Sequence, residues 1–300
     1  MKKLTIVLVI VIGVLGVYVF FKGSPANAPT VPEKTEVTSD IGKIAEQSSV
    51  PENKAETVIG MSVGGNPITA YHFGTGTMEL LFVGGIHGGY EWNTALVAYE
   101  FMNYLQGNPT VIPTKVKVTV IPVLNPDGLK KAVGTTGMFT PADVSKSDEV
   151  VVSGRYNGNT VDLNRNFDCD WQTKGVWQTK TVSGGASAFS EPESQAIKQY
   201  VETQKPTAVM VWYSAAGGVF SSNCHNGVSA QTKTLTKIFA DASGYPAHES
   251  FDFYETTGDM VNWLAKNNIP AISILLTNHT DTEWAKNQKG IEAVFAYYGK

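Results

Sequence analysis

Two clusters in this sequence gather residue types that do chemistry. Gly84-Gly85-Ile86-His87-Gly88-Gly89-Tyr90-Glu91-Trp92 follows an apolar run and leads into a helix-like segment, with His87 and Glu91 four positions apart. If a helical turn begins at Gly88, a strand-end imidazole and a helix-start carboxylate converge, and that donor pair suits a zinc ion, Zn2+. A glycine-rich turn with His87 hydrogen-bonded locally uses the same spacing. The second cluster is Gly154-Arg155-Tyr156-Asn157 followed by Val161-Asp162-Leu163-Asn164-Arg165-Asn166-Phe167. The forked donors of Arg155 and Arg165, with the amide of Asn164, suit a carboxylate. An Arg in such a loop also serves to staple it through backbone carbonyls, the plainer reading for Arg155 taken alone.

Composition narrows the chemistry. Lys and Arg number 23 against 27 Asp and Glu, a net charge of −4, so no basic surplus exists to bind a phosphate backbone and nucleic acid is not an expected partner. With 2 Cys there is no four-thiolate site, and any metal rests on carboxylates and the 5 His. At 300 residues, 42% hydrophobic and 17% charged, the chain has the material for one large globular domain and is not a disordered polymer.

The elements that must position these residues alternate in type. Residues 67–73, 79–84, 116–124, 208–213 and 271–276 read as strands, several of them uninterrupted apolar runs. Residues 91–105, 231–242, 259–266 and 283–298 read as helices. Ser190-Glu191-Pro192-Glu193 reads as a capping box opening a helix towards Thr203. Such alternation implies a single α/β domain, its mixed, mostly parallel sheet covered by helices on both faces. Residues 125–190 carry little periodicity, with Trp171, Trp177 and Phe189 as anchors, and read as a long functional loop beyond the strands' carboxyl ends.

Ahead of the domain, Lys2 and Lys3 precede an uncharged run over residues 4–21 closed by Lys22. That length sits near the lower limit for a membrane span, and Pro29 after Ala26-Asn27-Ala28 hinders cleavage. The expected organisation is a signal anchor or signal peptide at 1–22, a Pro- and Ser-bearing linker at 23–54 and the α/β domain at 55–300. This puts a monomeric domain outside the cytoplasm, held at the cell membrane through residues 4–21 or secreted if cleaved.

Together the clusters resemble the zinc carboxypeptidases of the carboxypeptidase A type, in order from about Val58 to Tyr298. Gly60-Met61-Ser62-Val63-Gly64-Gly65 resembles that family's opening hairpin, and Asn125-Pro126-Asp127-Gly128 its turn after the third strand. Asp162-Leu163-Asn164-Arg165-Asn166-Phe167 is the most specific match, and Phe189-Ser190-Glu191-Pro192-Glu193 is another. The resemblance implies His87 and Glu91 as zinc ligands, although the family sets its Glu one residue closer to the His. It implies Asn164 and Arg165 as the grip on a peptide's C-terminal carboxylate, and Arg155 as the group that polarises the scissile carbonyl. Tyr254 is implied as the mobile Tyr closing over the bound residue. Val261, spaced from Tyr254 like the pocket floor, favours an apolar or aromatic C-terminal side chain.

Two positions depart from the pattern. Tyr213, ahead of Ser214, stands where the family carries its third zinc-binding His, and Leu275 stands at the general-base Glu. A phenol, with a reference pKa near 10 against about 6.5 for imidazole, is a poor metal donor at neutral pH. Leu accepts no proton, and a general base contributes roughly 10²–10⁴-fold. His225, Glu255, Asp259 and His279 are the nearby groups that could compensate, while His72 and His248 read as structural. Cys169 and Cys224 border the expected cleft, and a disulfide between them is plausible in an exported domain. Three functions follow: a working zinc carboxypeptidase, a non-catalytic relative binding peptide or cell-wall-peptide ends, and an N-acyl amino acid deacylase of the same superfamily.

Overall fold

The computed structural model describes residues 55–300, so the expected anchor and linker lie outside the described residues. No helix among the described residues is long and apolar enough to cross a membrane. The strands are β1 (Glu56–Met61), β2 (Pro67–Phe73), β3 (Met78–Val83), β4 (Val116–Ile121), β5 (Lys174–Trp177), β6 (Lys180–Ser183), β7 (Ala208–Ser214), β8 (Gly218–Ser221), β9 (Ala247–His248) and β10 (Ala271–Leu276). The helices are α1 (Trp92–Gly107), α2 (Pro126–Val133), α3 (Asp148–Ser153), α4 (Pro192–Gln204), α5 (Ala230–Ser243), α6 (Met260–Lys266) and α7 (Trp284–Tyr298).

Eight strands form one sheet in the order β1-β2-β4-β3-β7-β10-β8-β9, and β5 and β6 form a separate hairpin. The four central strands, β4, β3, β7 and β10, run parallel; β2 and β8 flank them antiparallel, and β1 pairs antiparallel with β2 at the edge. The parallel core explains the uninterrupted apolar runs, because a strand covered on both faces has no solvent side. Leu80, Phe82, Met210, Trp212 and Ile274 face the layer of α1, α5 and α7. Leu81, Val83, Val211, Tyr213 and Leu275 face α4, α6 and the segment around Phe167. The Trp212 indole N–H donates to Asn287 Oδ1 at 2.9 Å, which fixes the depth of β7. Strand alternation then sends Tyr213 to the opposite face. In the parallel register of β7 and β10, Leu275 lies directly beside Tyr213.

From β3 the chain steps one way to β4 and later the other way to β7 and β10, so a crevice opens at the carboxyl ends of β3 and β7. The 125–190 segment that covers it is not the structureless loop its composition suggested. It holds α2, α3, the β5–β6 hairpin and single helical turns at Pro141–Asp143 and Leu163–Arg165. Each is too short to register in an 11–18-residue periodicity window. The capping box is also corrected. Ser190 Oγ donates to Glu191 Oε1 at 2.8 Å, and Glu193 turns away to accept from Val63 N and Asn157 Nδ2. The helix starts at Pro192 with Glu191 at its N-cap and no side-chain cap.

A disulfide joins Cys169 to Cys224, with Cα atoms 6.2 Å apart. Beside it the backbone is stitched twice: Gly258 N donates to Cys169 O at 2.7 Å, and Phe167 N donates to Gly258 O at 3.0 Å. Gly258 has φ +63°, and a Cβ there would lie 2.3 Å from Arg165 O, so only glycine admits the contact.

Candidate functional site

His87 sits on the turn after β3, and Glu91 at the N-cap of α1. Gly88 lets this turn press onto its neighbours: φ is +42°, and a Cβ would meet Leu129 N at 2.7 Å and Gly154 O at 2.8 Å. Gly89 N donates to Gly154 O at 2.9 Å, which docks the turn against the end of α3 and brings Arg155 alongside.

The resulting network is buried and charged. Asp162, inaccessible to solvent, accepts from Arg155 Nε at 2.9 Å and from His87 Nε2 at 3.2 Å, and pairs with a terminal guanidinium nitrogen of Arg155 at 2.8 Å. Glu91 Oε1 lies 3.5 Å from Arg155, and Glu91 Oε2 accepts from Ser214 N at 3.1 Å. His87 Nδ1 lies 2.9 Å from Glu91 Oε1, but the two are not aligned for a hydrogen bond and this buried nitrogen has no partner. Burial pushes the Asp162 carboxyl up, yet Arg155 and His87 outweigh it and hold Asp162 far below the usual carboxylate range. Burial and then Arg155 pull the His87 imidazole down, but Glu91 and Asp162 leave it above its ordinary value. Burial raises Glu91, while His87 and Arg155 bring it below the ordinary carboxylate value.

The two arginines are held differently, and Arg155 does not staple the loop through backbone carbonyls as its place in the loop suggested. Arg155 is the one held by carboxylates, its guanidinium carbon 4.4 Å from the Trp177 ring centre. Arg165 staples the loop, with Nε and one terminal nitrogen donating to Val176 O at 3.0 and 2.6 Å and the other donating to Asn164 O at 2.7 Å. Three of its five N–H groups are thereby engaged. Asn164 Oδ1 accepts from Met260 N at 3.0 Å and from the Tyr213 hydroxyl at 3.2 Å, and its Nδ2 donates to Asp259 Oδ2 at 2.8 Å.

His87, Glu91, Arg155, Asn164, Arg165, Tyr213, Tyr254 and Val261 all line one cavity of about 130 Å³, and Leu275 forms part of its wall. Burial, then Asp259 and Glu91, push the Tyr213 phenol well above its ordinary pKa. Val261 has a buried carboxylate for a neighbour, because Asp259 also lines the cavity. Both Asp259 oxygens are engaged, by Asn262 N and by Asn164 Nδ2. Sequence reasoning gave Asp162 no role, although it opens the most specific motif.

Of the compensating candidates, His225 is paired with Asp170 at 2.8 Å and largely exposed, and Glu255 is exposed; neither lines the cavity. His279 lines an adjoining cavity with its Nδ1 2.9 Å from Ser214 Oγ, and burial pulls its pKa below the ordinary imidazole value. His72 lies between Thr57 and Thr119, and His248 stacks on Phe220 at 4.4 Å, both structural placements.

The zinc carboxypeptidase family model matches residues 45–296, and the chain belongs to that family. It is 27% identical to human carboxypeptidase Z over 183 residues, 56% of this chain and 26% of that protein. Against mouse carboxypeptidase D it is 27% identical over 162 residues, 51% of this chain and 9% of that protein. The chain therefore spans about a quarter or less of these relatives. Among solved structures, bovine thrombin-activatable fibrinolysis inhibitor, in complex with tick carboxypeptidase inhibitor, superposes with a TM-score of 0.63 at 18% identity, covering 81% of this chain and 88% of that one. Murein-tripeptide amidase from Escherichia coli O157 gives a TM-score of 0.55 at 20% identity, covering 82% and 91%. These likenesses show the shared fold: a mixed α/β domain with a mostly parallel central sheet.

Membership implies zinc, and the donors decide how far the site fits it. The orphaned His87 Nδ1 and the adjacent Glu91 Oε1 make a two-donor half-site. A third donor is missing, because the Tyr213 phenol is turned to Asn164 and burial opposes its ionisation. The group of three metal-type donors found close together among the described residues, Cys169, Asp170 and Cys224, has both sulfurs in the disulfide. The residues present do not fit the three-ligand zinc site that hydrolysis requires.

Proposed function

We propose that this chain binds peptide or cell-wall-peptide ends bearing a free carboxylate and hydrolyses them feebly or not at all. One observation carries the reading: Tyr213 and Leu275 stand side by side in the sheet register and both face the cavity. They replace a ligand and a base at the same wall, so the chemistry fails twice there. The clamp is a separate matter, since charge-assisted bonds to a carboxylate need no metal. Arg165 keeps two N–H groups and Asn164 one outside their bonds within the protein, and both residues line the cavity together with Arg155 and Tyr254. The proposed architecture is that of the sequence: anchor or signal at 1–22, linker at 23–54, and a domain outside the cytoplasm. The disulfide supports that compartment, because such bonds persist where conditions oxidise.

The test is calorimetry of the purified protein with a short peptide and its C-terminal carboxamide, alongside a hydrolysis assay with and without added zinc. Binding that needs the free carboxylate, without turnover, is the expected result. Robust zinc-dependent turnover would establish the working carboxypeptidase instead, and turnover restricted to small N-acyl amino acids would establish the deacylase.

A further inference from the structure

We propose that His279 is a hydrogen-bond acceptor for the bound peptide, selecting a donor-bearing aromatic side chain on the residue next to the C-terminal one. Asn93, at the start of α1, is fully buried. Asn93 Nδ2 donates to Asn278 O at 2.8 Å and to Asp281 O at 2.9 Å, so both amide hydrogens are committed and Oδ1 must be the atom facing Ser214. Ser214 Oγ, 3.1 Å away, gives its single proton to that oxygen. The remaining neighbour of Oγ is His279 Nδ1 at 2.9 Å, and with the serine proton already placed, Nδ1 must carry a hydrogen and donate. Burial, opposed by Glu91, pulls the pKa of this imidazole below its ordinary value, which favours the neutral ring. Nε2 is then a bare lone pair, with no hydrogen-bond partner among the described residues.

The ring lines a cavity of about 570 Å³, walled on its other sides by Tyr90, Trp177, Phe251, Phe253 and Tyr254. Tyr90 packs against the imidazole at 4.6 Å between ring centres, and Phe253 is 60% exposed at the rim. This cavity shares Glu91, Ser214, Phe251, Tyr254 and Leu275 with the cleft that holds the proposed carboxylate clamp. A group lodged in the larger space while a peptide end sits in the smaller one is therefore the preceding residue of the same peptide. Aromatic walls favour a flat side chain, and one bare acceptor among them favours a hydroxyl or indole N–H over plain phenyl. Tyr or Trp fits both demands.

The inference rests on the C-terminal-end reading, and four peptides separate the two. They end in Tyr-Leu, Phe-Leu, Ala-Leu and Tyr-Leu-carboxamide, and are titrated against the full chain and its His279→Ala variant. The expected order is Tyr above Phe above Ala, with Tyr about 5- to 10-fold tighter than Phe, the effect of one neutral hydrogen bond. His279→Ala should erase the Tyr–Phe difference and keep the Phe–Ala difference, a pattern that a merely structural role would not produce. Equal binding of Tyr and Phe by the wild type overturns the inference, as does a ratio unchanged in the variant. If the carboxamide binds as well as the acid, the C-terminal-end reading falls while the ratio still tests His279. Failure of all four peptides to bind overturns both. Nitrogen NMR of the wild-type imidazoles requires no variant: it should show His279 protonated at Nδ1 and its Nε2 resonance moving with the Tyr peptide but not with the Phe peptide.

Discussion

The two walls of the cleft differ in what holds them. On one side His87, Glu91, Arg155 and Asp162 form a buried quartet in which each charge faces an opposite one. On the other, Tyr213 and Leu275 present a neutral phenol and an alkyl chain at neighbouring strand positions. The first wall is locked by its own electrostatics, since removing one member strands the others in low dielectric. The second carries no such debt, and its polar tip needs only one hydrogen bond, to Asn164. Presence of the His87–Glu91 pair is therefore poor testimony to catalysis, because the same pair also balances charge inside the fold.

The comparison breaks most visibly if the neutral wall is given an imidazole and a carboxylate. Tyr213→His combined with Leu275→Glu should raise zinc-dependent peptide hydrolysis by about 10²–10⁴-fold over the unmodified chain, measured at saturating metal. Each single change should do far less, because a ligand without a base or a base without a ligand leaves the water unactivated.

The charged wall should show itself in stability. Asp162→Ala leaves Arg155 and His87 short of a buried counter-charge and should cost about 3–5 kcal/mol in urea unfolding. The acid limb follows from the same carboxylate, whose folded pKa lies far below the unfolded value near 3.9. Its contribution is whole above that unfolded value and is lost as pH falls towards the folded one. Wild-type unfolding free energy should thus drop below about pH 4, and that component of the drop should be absent from the variant.

Cutting the disulfide tests the lip between the walls. For a separation of 55 residues, loop entropy assigns the bond about 4 kcal/mol. Replacing Cys169 and Cys224 with Ser should lower the unfolding free energy by up to that amount while leaving the His87–Asp162 pairing in place. The smallest effect belongs to the pocket floor. With Val261 apolar and both Asp259 oxygens engaged, peptides ending in Phe or Leu should bind a few-fold tighter than those ending in Lys or Arg, and competition titration would show it.

Much of this was legible where local pattern and tertiary demand agree. The apolar run at 271–276 is a strand with the same bounds, because a fully buried parallel strand needs no polar neighbour to define it. The residues of the cleft were likewise readable as types at a spacing. Their engagements were not. Arg165 gives two of its N–H groups to the carbonyl of Val176, which arrives from a hairpin too short to leave a periodic trace. Glu193 abandons its helix cap because Val63 N and Asn157 compete for it across more than 30 positions of sequence. β8 and β9 escaped for a simpler reason: four and two residues carry no pattern.

The double backbone stitch at Gly258 has a dynamic consequence. The clamp at Asn164–Arg165, the Tyr254 loop and the strand leading to Cys224 are fastened to one another by two amides and a covalent bond. No one of these segments opens without the others. The amide protons of Phe167 and Gly258 should therefore exchange with deuterium at a common opening free energy, as one cooperative unit rather than as independent loops.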